Sequence, residues 1–471
     1  MKEKKIGTFT LAITLISLGS LFLINKFIEI DIYFILSIFW PGVIILLGLE
    51  IVLSKVIFER MENETKLSIS GRSIFFLFVT VCMVLVFSAL EKLPMYVDID
   101  GGFIPIPYKN ETIVNKHITV ETKEKNKLKV SNSFGYVNIN KGNGKDIEVN
   151  MFVKMKHNYD AEEGKKIADD MLKAISDSGD SIRLISQRDK YIGSKEIKDI
   201  EVNLDITVPY DMEFDITNKH GDIGIYDCGG SATISNAHGS VLAENLRGSL
   251  DIENAHGEIV IVNIEGKATI QNRHGRVTVK KVDKDLSIVN EHGKIKVSEI
   301  EGNVEIGNTH NSIQAEIIGG NLTIESSHCG IDINDVMGDI KVKGSHGSIG
   351  AKNINGNVRI DNQHGAISLA QANKFIELKN RNNEIVFESN EAISKGIKID
   401  NEHGKVEIRL PKNQEGKFNI YTRHGQISND FGLNIASNNN EESIDESIGN
   451  QDVAINIRAE NGDIRIEAAM E

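Results

Sequence analysis

The chain repeats one short pattern with a fixed period, and this period limits the folds that are open to it. A histidine recurs every 18 residues from position 220 to position 364. The histidines on this period are His220, His238, His256, His274, His292, His310, His328, His346 and His364. Asn382 holds the next place, and after short insertions further copies follow at His403, His424 and Asn461. A period this strict is typical of solenoids and other repeat proteins.

The apolar residues within each copy predict two short strands. Four places before the histidine and three places after it every copy has an aliphatic residue, as in Ile234 and Val241 around His238. Apolar residues two apart, with polar ones between them, indicate β-strands. One copy buries little by itself, so we expect the copies to stack about 4.8 Å apart. The predicted fold is an all-β solenoid, a single-chain β-helix of about thirteen 18-residue coils with two strands each.

Composition divides the chain into three predicted domains. Residues 1–92 hold the long apolar runs, and residues 93–212 contain irregular strands and an amphipathic helix that form a small α+β cap. Residues 213–471 form the solenoid, which a polar loop at 430–452 interrupts. The net charge of −14 lies entirely after residue 90, because residues 1–90 have one more basic than acidic side chain; it includes no basic stripe, which excludes nucleic acid as a partner.

The apolar runs of the first domain predict three transmembrane helices, at about 6–24, 32–53 and 73–90. A cleaved signal peptide is the alternative for the first run, but no small-residue cleavage site follows it. Lysines and arginines before the first run and between the second and third place these segments in the cytoplasm. We therefore expect a bacterial cell-membrane protein with a cytoplasmic N-terminus and with residues 93–471 extracytoplasmic.

Two stretches resemble known families. The segment "SLGSLFLINKF" leading to "FWPGVIILLGLEIVL" resembles the LiaI/LiaF-like transmembrane region of bacterial envelope-stress proteins. The segment "LDITVPYDMEFDITNKHGDIGI" and the coils after it resemble the bacterial adhesin-type β-solenoid domains of unknown function. The second resemblance implies a β-solenoid in the cell envelope and no settled biochemical activity. A histidine before the turn glycine departs from that family, in which a small polar residue is common.

The repeat also predicts ladders of identical side chains. Asparagine recurs two places before the histidine and glycine one place after it, where a turn favours positive φ. We interpret these columns as structural, with the asparagine amides hydrogen-bonded along the rod. Besides the histidines, the ladder residues are Asn236, Asn254, Asn272, Asn290, Gly239, Gly257, Gly275 and Gly293.

The histidine column leaves two further hypotheses open. Neighbouring imidazoles could bind a metal between them, with His238, His256, His274 and His292 as the candidate ligands. No carboxylate or thiol recurs in register to complete such a site. Alternatively, protonation of adjacent rings would weaken the stack at low pH.

The function expected from the sequence is a non-catalytic interaction module of the bacterial cell envelope, in envelope-stress sensing and regulation. The alternative is an adhesin or cell-surface binding protein. A polysaccharide-active enzyme would need a local break in the repeat where charged groups converge, and the charges are scattered. We therefore expect no catalytic residues and no cofactor. A membrane-protein or cell-wall partner is compatible with the sequence, which leaves the oligomeric state open.

Overall fold

The computed structural model describes residues 4–6, 8–25, 43, 45–46, 48–50, 52–53, 67–69, 75, 108, 110–176 and 179–469. The chain forms two compact units, residues 1–107 and residues 108–471. Each unit is described by itself.

The described residues of the first unit include one continuous helix, further helical positions at 43, 45–46, 48–50, 52–53 and 75, and a pair of strands. The helix α1 spans Thr8–Asn25, and the strands β1 (Lys4–Ile6) and β2 (Leu67–Ile69) pair in parallel. Thr10 donates to the Glu50 carboxylate from its backbone N, at 3.0 Å, and from its Oγ1.

The expectation of three transmembrane helices is wrong. Within the described part of the chain, none of the helices combines the length and the apolarity needed to cross a bilayer. Most of the second expected span, 32–53, and nearly all of the third, 73–90, lie outside the described residues. The expected topology, with a cytoplasmic N-terminus and a membrane anchor, depended on these three helices and is not supported either.

The β-solenoid is confirmed in the second unit. Eleven consecutive coils each contribute one strand to each of two parallel sheets. We call the first of these the histidine sheet, because nearly all of its strands end at the ladder position. Its strands are β10 (Glu213–His220), β12 (Ala232–His238), β14 (Leu250–His256), β16 (Ala268–His274), β18 (Leu286–His292), β20 (Val304–His310), β22 (Leu322–His328), β24 (Ile340–Lys343), β26 (Val358–His364), β28 (Phe375–Asn382) and β30 (Gly396–His403).

The second sheet faces the histidine sheet across the core. Its strands are β11 (Ile223–Tyr226), β13 (Val241–Leu246), β15 (Ile259–Ile264), β17 (Val277–Val282), β19 (Ile295–Ile300), β21 (Ile313–Ile318), β23 (Ile331–Val336), β25 (Ile349–Ile354), β27 (Ile367–Ala372), β29 (Ile385–Glu388) and β31 (Val406–Leu410). Equivalent residues pair from coil to coil, for example Ile234 with Ile252 and Val241 with Ile259. This register stacks the aliphatic positions into one continuous buried core.

A left-handed residue bends the chain at the second sheet in nine of the eleven coils. Seven places after the histidine, the backbone adopts a φ of 55° to 62° in nine successive coils, including at Asn245, Asn263 and Ile317. The bend interrupts the alternation of the strand, so the next residue, such as Leu246, points back into the core. Each coil thereby buries one more apolar side chain than simple alternation allows.

Irregular elements precede the first regular coil. They are β3 (Asn110–Val120), β4 (Lys127–Asn132), β5 (Val137–Lys141), β6 (Ile147–His157), α2 (Ala161–Asp169), β7 (Leu172–Ser176), β8 (Ser181–Ser186), α3 (Arg188–Tyr191) and β9 (Ile197–Val208). Strands β4 and β5 form a coil next to β10 and β11, and β8 and β9 add a further layer outside it. The Asp160 side chain caps α2 by accepting from the Glu163 backbone N at 2.8 Å. The antiparallel strands β3, β6 and β7 then terminate the parallel stack.

The last coils do not stack in chain order. The final elements are β32 (Gly416–Arg423), β33 (Ile427–Asn429), β34 (Ala436–Asn438), β35 (Glu441–Ile448), β36 (Ala454–Asn461) and β37 (Ile464–Ala468). Strand β36 lies between β30 and β32 and pairs in parallel with both, so the last coil is inserted between the two that precede it in sequence. Residues 430–452, where the sequence favours a polar loop, contain β34 and β35, and β35 covers the edge of β32 in antiparallel pairing.

Candidate binding site: the histidine ladder

The nine histidines from His220 to His364 form one continuous stack of imidazole rings. Neighbouring ring centroids are 4.7 to 5.1 Å apart. Most neighbouring rings are parallel to within 7°, and the two larger tilts are 19° and 27°. Eight of the nine histidines end a strand in the same register, and His346 pairs with both neighbours through isolated bridges, so the stack follows directly from the parallel pairing of the coils.

Asparagine continues the ladder where histidine is absent. Asn382 Nδ2 lies 3.0 Å from His364 Nδ1, and Asn461 Nδ2 lies 3.2 Å from His403 Nδ1. An amide nitrogen only donates, so each of these contacts fits a neutral imidazole whose Nδ1 accepts. The inserted strand β36 therefore carries the ladder on as a coil in normal chain order would.

The ladder faces solvent. All the histidines of the stack are exposed except His274, which is half-buried. The sequence left their orientation open, because both flanks of the turn are polar. Outward-facing rings present their edges, and hence their ring nitrogens, as a row of hydrogen-bonding groups along the rod.

The glycine after each histidine allows the coils to approach closely. At eight of these glycines, from Gly221 to Gly404, φ lies between +121° and +156°, a region that L side chains rarely adopt. A Cβ added to Gly257 would overlap the carbonyl oxygen of Gly239 in the preceding coil. Asn311 and Asn383, which replace the glycine in two coils, also have positive φ.

The asparagine column ties the turns together through the backbone. Asn236 Nδ2 donates to the carbonyl oxygens of Gly221 and Gly239, at 3.2 and 3.3 Å. The sequence predicted that these amides would hydrogen-bond to one another along the rod. Instead, the amides bind the glycine turns of two coils. Their side-chain oxygens have no hydrogen-bond partner among the described residues. The buried members are Asn218, Asn236, Asn254, Asn272, Asn290, Asn308, Asn362, Asn380 and Asn401.

A second side-chain column stabilises the opposite turn, and the sequence analysis missed it. The Asp285 side chain accepts from the Asn303 backbone N at 2.8 Å, and Asn303 accepts from the Asn321 backbone N at 2.9 Å. The same contact recurs from Asp339 to Asn321 and from Asn357 to Asp339. The backbone bond from Asn357 is the largest cause of the lowered pKa of Asp339. In the sequence this column can be recognised as an Asp or Asn that follows the turn glycine in several coils, as at Asn303 and Asn321.

Lost hydration and repulsion disfavour protonation of two histidines of the ladder. The pKa of His220 and that of His256 are lowered, first by lost hydration and then by repulsion from the neighbouring imidazoles. The two cysteines of this unit are buried, and burial raises the pKa of Cys228 to about 12 and also raises that of Cys329. Both thiols therefore stay protonated at neutral pH and lack the thiolate needed for nucleophilic chemistry.

The ring spacing does not suit a metal shared between neighbours. With a Zn–N bond of about 2.0–2.1 Å, one zinc ion can join nitrogens no more than about 4.2 Å apart. Equivalent nitrogens of parallel rings are separated by about the centroid distance, which is 4.7 Å or more. The candidate ligands His238, His256, His274 and His292 are stacked in this way. Among the described residues no cluster of three His, Cys, Asp or Glu side chains could hold a metal ion.

Comparison with known proteins gives structural neighbours only. No family model and no curated protein matches the chain. A candidate cell adhesion protein from Clostridium sporogenes ATCC 15579 covers 76% of this chain and 100% of its own, with 12% identity and a TM-score of 0.20. A candidate adhesin from Bacteroides fragilis NCTC 9343 covers 75% of this chain and 97% of its own, with 10% identity and a TM-score of 0.15. These TM-scores are too low to carry an argument, and neither match supports the LiaI/LiaF-like resemblance.

Proposed function

We propose that residues 108–471 act as a non-catalytic binding module of the adhesion type, which uses the outer face of the histidine sheet. The observation that carries the proposal is the outward orientation of the ladder. It places identical polar groups in a row at 4.7 to 5.1 Å, on a rigid core with few irregularities. A surface of this kind suits an extended ligand with a repeating structure, because successive ligand units meet successive coils.

The side-chain chemistry of the unit favours binding over catalysis. General acid–base or nucleophilic catalysis needs a positioned group with a perturbed pKa in a cleft that excludes water. The exposed imidazoles are alike from coil to coil, and the two thiols are buried and protonated. Charged side chains on the outer faces mostly pair with the adjacent coil, as Arg273 does with Glu291 at 3.7 Å.

We propose adhesion rather than envelope-stress sensing, because adhesion depends on the part of the chain that the structure describes. Sensing rested on the resemblance of the first 53 residues to a transmembrane region, and the described residues add no support to it. The adhesion-type proposal depends only on the solenoid unit.

Binding to isolated bacterial cell walls tests the proposal. We expect the labelled full-length chain to bind saturably, to be displaced by unlabelled chain, and to release no soluble fragments from the wall. Thr269→Trp adds bulk to the outer face of the histidine sheet and should weaken binding several-fold. Thr278→Trp makes the same change on the outer face of the second sheet and is the matched control.

Two results would contradict the proposal. One is the absence of saturable binding to any wall preparation by a chain that retains its β-sheet circular dichroism. The other is progressive release of wall fragments, which would indicate an enzyme.

A further inference from the structure

The regular pattern of the histidine sheet breaks between Asn308 and Asn362. Ser326 and Gly344 replace the buried asparagine in two successive coils. Strand β24 ends at Lys343, whereas the neighbouring strands continue to the histidine. His346 pairs with the adjacent coils only through isolated bridges. A local break of this kind is where a repeat protein can form a site that its other coils lack.

A groove lies on the outer face of the sheet at this break. Its volume is about 530 Å³, within the range of ligand-binding sites. We call it the repeat-break groove and define it by Gly307, Thr309, Glu325, Ser327, Lys343 and Ser345. A second cavity of about 530 Å³ lies on the same face, where Thr269, Ser287 and Glu305 contribute to its wall.

Packing does not explain the glycine in this groove. Gly307 has no positive φ, and a Cβ there would meet only Val289 Cγ2 at 3.9 Å and the Ile288 carbonyl oxygen at 4.0 Å. The equivalent positions in other coils hold larger side chains, such as Gln271 and Glu325. Glycine within a strand weakens the strand, and it often marks a place where a ligand approaches the backbone closely.

The groove combines hydrogen-bonding groups with an exposed apolar side chain, Val289. Thr309, Ser327 and Ser345 occupy the same position in successive coils, so their hydroxyls are spaced by one strand separation. Glu325 and Lys343 pair across the groove at 3.4 Å. The remaining charged groups of the wall, including Glu291 and Asp361, are acidic and disfavour an anionic ligand.

We propose that the repeat-break groove binds a linear, uncharged oligosaccharide that lies along the rod. Sugar hydroxyls both donate and accept, which matches a wall of hydroxyls, carboxylates and one ammonium group. A sugar unit is comparable in length to the strand separation, so successive rings meet the hydroxyls of successive coils. This inference rests on the proposed function and names the ligand class for one part of the same face.

Calorimetric titration of the full-length chain at neutral pH tests the assignment. The probes are cellohexaose, maltohexaose and chitohexaose, with hexagalacturonate as the anionic comparison. We expect at least one neutral hexamer to bind, and hexagalacturonate to bind at least tenfold more weakly. Gly307→Gln fills the groove and should reduce affinity for the neutral hexamer at least tenfold, and Ser327→Gln should do the same.

Gly350→Gln is the matched control. Gly350 lies in β25 of the second sheet, and a Cβ there also meets only ordinary contacts, at 3.8 Å. All variants are first compared by thermal unfolding, and those with unchanged midpoints are titrated. The assignment is overturned if no neutral hexamer binds the wild type, if hexagalacturonate binds equally well, or if Gly307→Gln and Gly350→Gln have equal effects. If Gly307→Gln keeps both its cell-wall binding and its affinity for the hexamer, the repeat-break groove is not the oligosaccharide site. The proposed function would still hold in that case.

Discussion

The turn glycine determines how closely successive coils approach at the ladder. Gly257 has a φ of +142°, and a Cβ added to it would overlap the carbonyl oxygen of Gly239. We expect Gly257→Ala to lower the free energy of unfolding by about 2–4 kcal/mol, because strain and overlap add. Gly350→Ala, whose added Cβ meets only ordinary contacts at 3.8 Å, should change it by less than about 1 kcal/mol. Chemical denaturation of both variants measures the difference, and equal effects would contradict the close-approach argument.

Ile317 adopts a conformation that its side chain disfavours. Its φ is 57°, in a column where five of the other eight coils with this bend have Asn or Asp, and its side chain is 54% exposed. We expect Ile317→Asn to raise the free energy of unfolding by about 1 kcal/mol, because asparagine tolerates this region. Val289→Asn is the control, since Val289 is equally exposed but has an ordinary φ. A destabilised Ile317→Asn in urea denaturation would show that the bend has a different backbone conformation in solution.

The lowered pKa of His220 and His256 makes stability depend on pH. The ordinary value is 6.5, so between this value and the lower folded pKa the unfolded chain binds more protons than the folded chain. The contribution is complete above pH 6.5 and is lost as pH falls through the folded pKa. We expect the urea midpoint to decrease between pH 7.5 and pH 5. Replacing His238, His256 and His274 by asparagine should flatten this dependence, and an unchanged slope would exclude the ladder as its origin.

At the scale of the element, the inserted strand β36 is the main departure from simple stacking. Strands near a chain end usually fray, but β36 pairs with β30 on one side and with β32 on the other. We expect the backbone amides of 454–461 to exchange with deuterium as slowly as those of central strands. Residues 436–438, in the exposed strand β34, should exchange quickly and serve as the internal reference. Equally fast exchange in both segments would contradict the insertion.

The strands and the ladder could be predicted from the sequence, but the bend in the second sheet and the insertion of β36 could not. The repeated aliphatic positions around His238 give the strands and their register, because only stacked copies bury them. The bend at Asn245 and the insertion of β36 depend on tertiary contacts that no local pattern specifies. The prediction of transmembrane helices was wrong, since none of the helices among the described residues has the length and apolarity to cross a bilayer.

The repeat-break groove escaped prediction for a related reason. Ser326 and Gly344 each look like ordinary variation when one copy is compared with the next. Only stacking places them in adjacent coils, beside Gly307, where small side chains accumulate into a groove. A site in a repeat protein is therefore easier to find by comparing equivalent positions in adjacent coils than by examining each 18-residue copy alone.

At the scale of the whole unit, two parallel sheets enclose one core and antiparallel strands close its ends. The strands β3, β6 and β7 terminate one end, and β34 and β35 cover the histidine sheet at the other. These elements remove most of the open edges through which a parallel stack would pair with other chains. The unit is then a scaffold of fixed length that presents its outer faces.

Pulsed electron paramagnetic resonance between spin labels on the histidine sheet tests the stacking of coils most directly. Thr233, Glu305 and Arg359 are outward-facing and occupy the same position in their coils. Cysteines at 233 and 305 are four coils apart, and cysteines at 233 and 359 are seven coils apart, so the account predicts backbone separations of about 19 Å and about 34 Å. Distances that do not grow in proportion to the number of coils would contradict it.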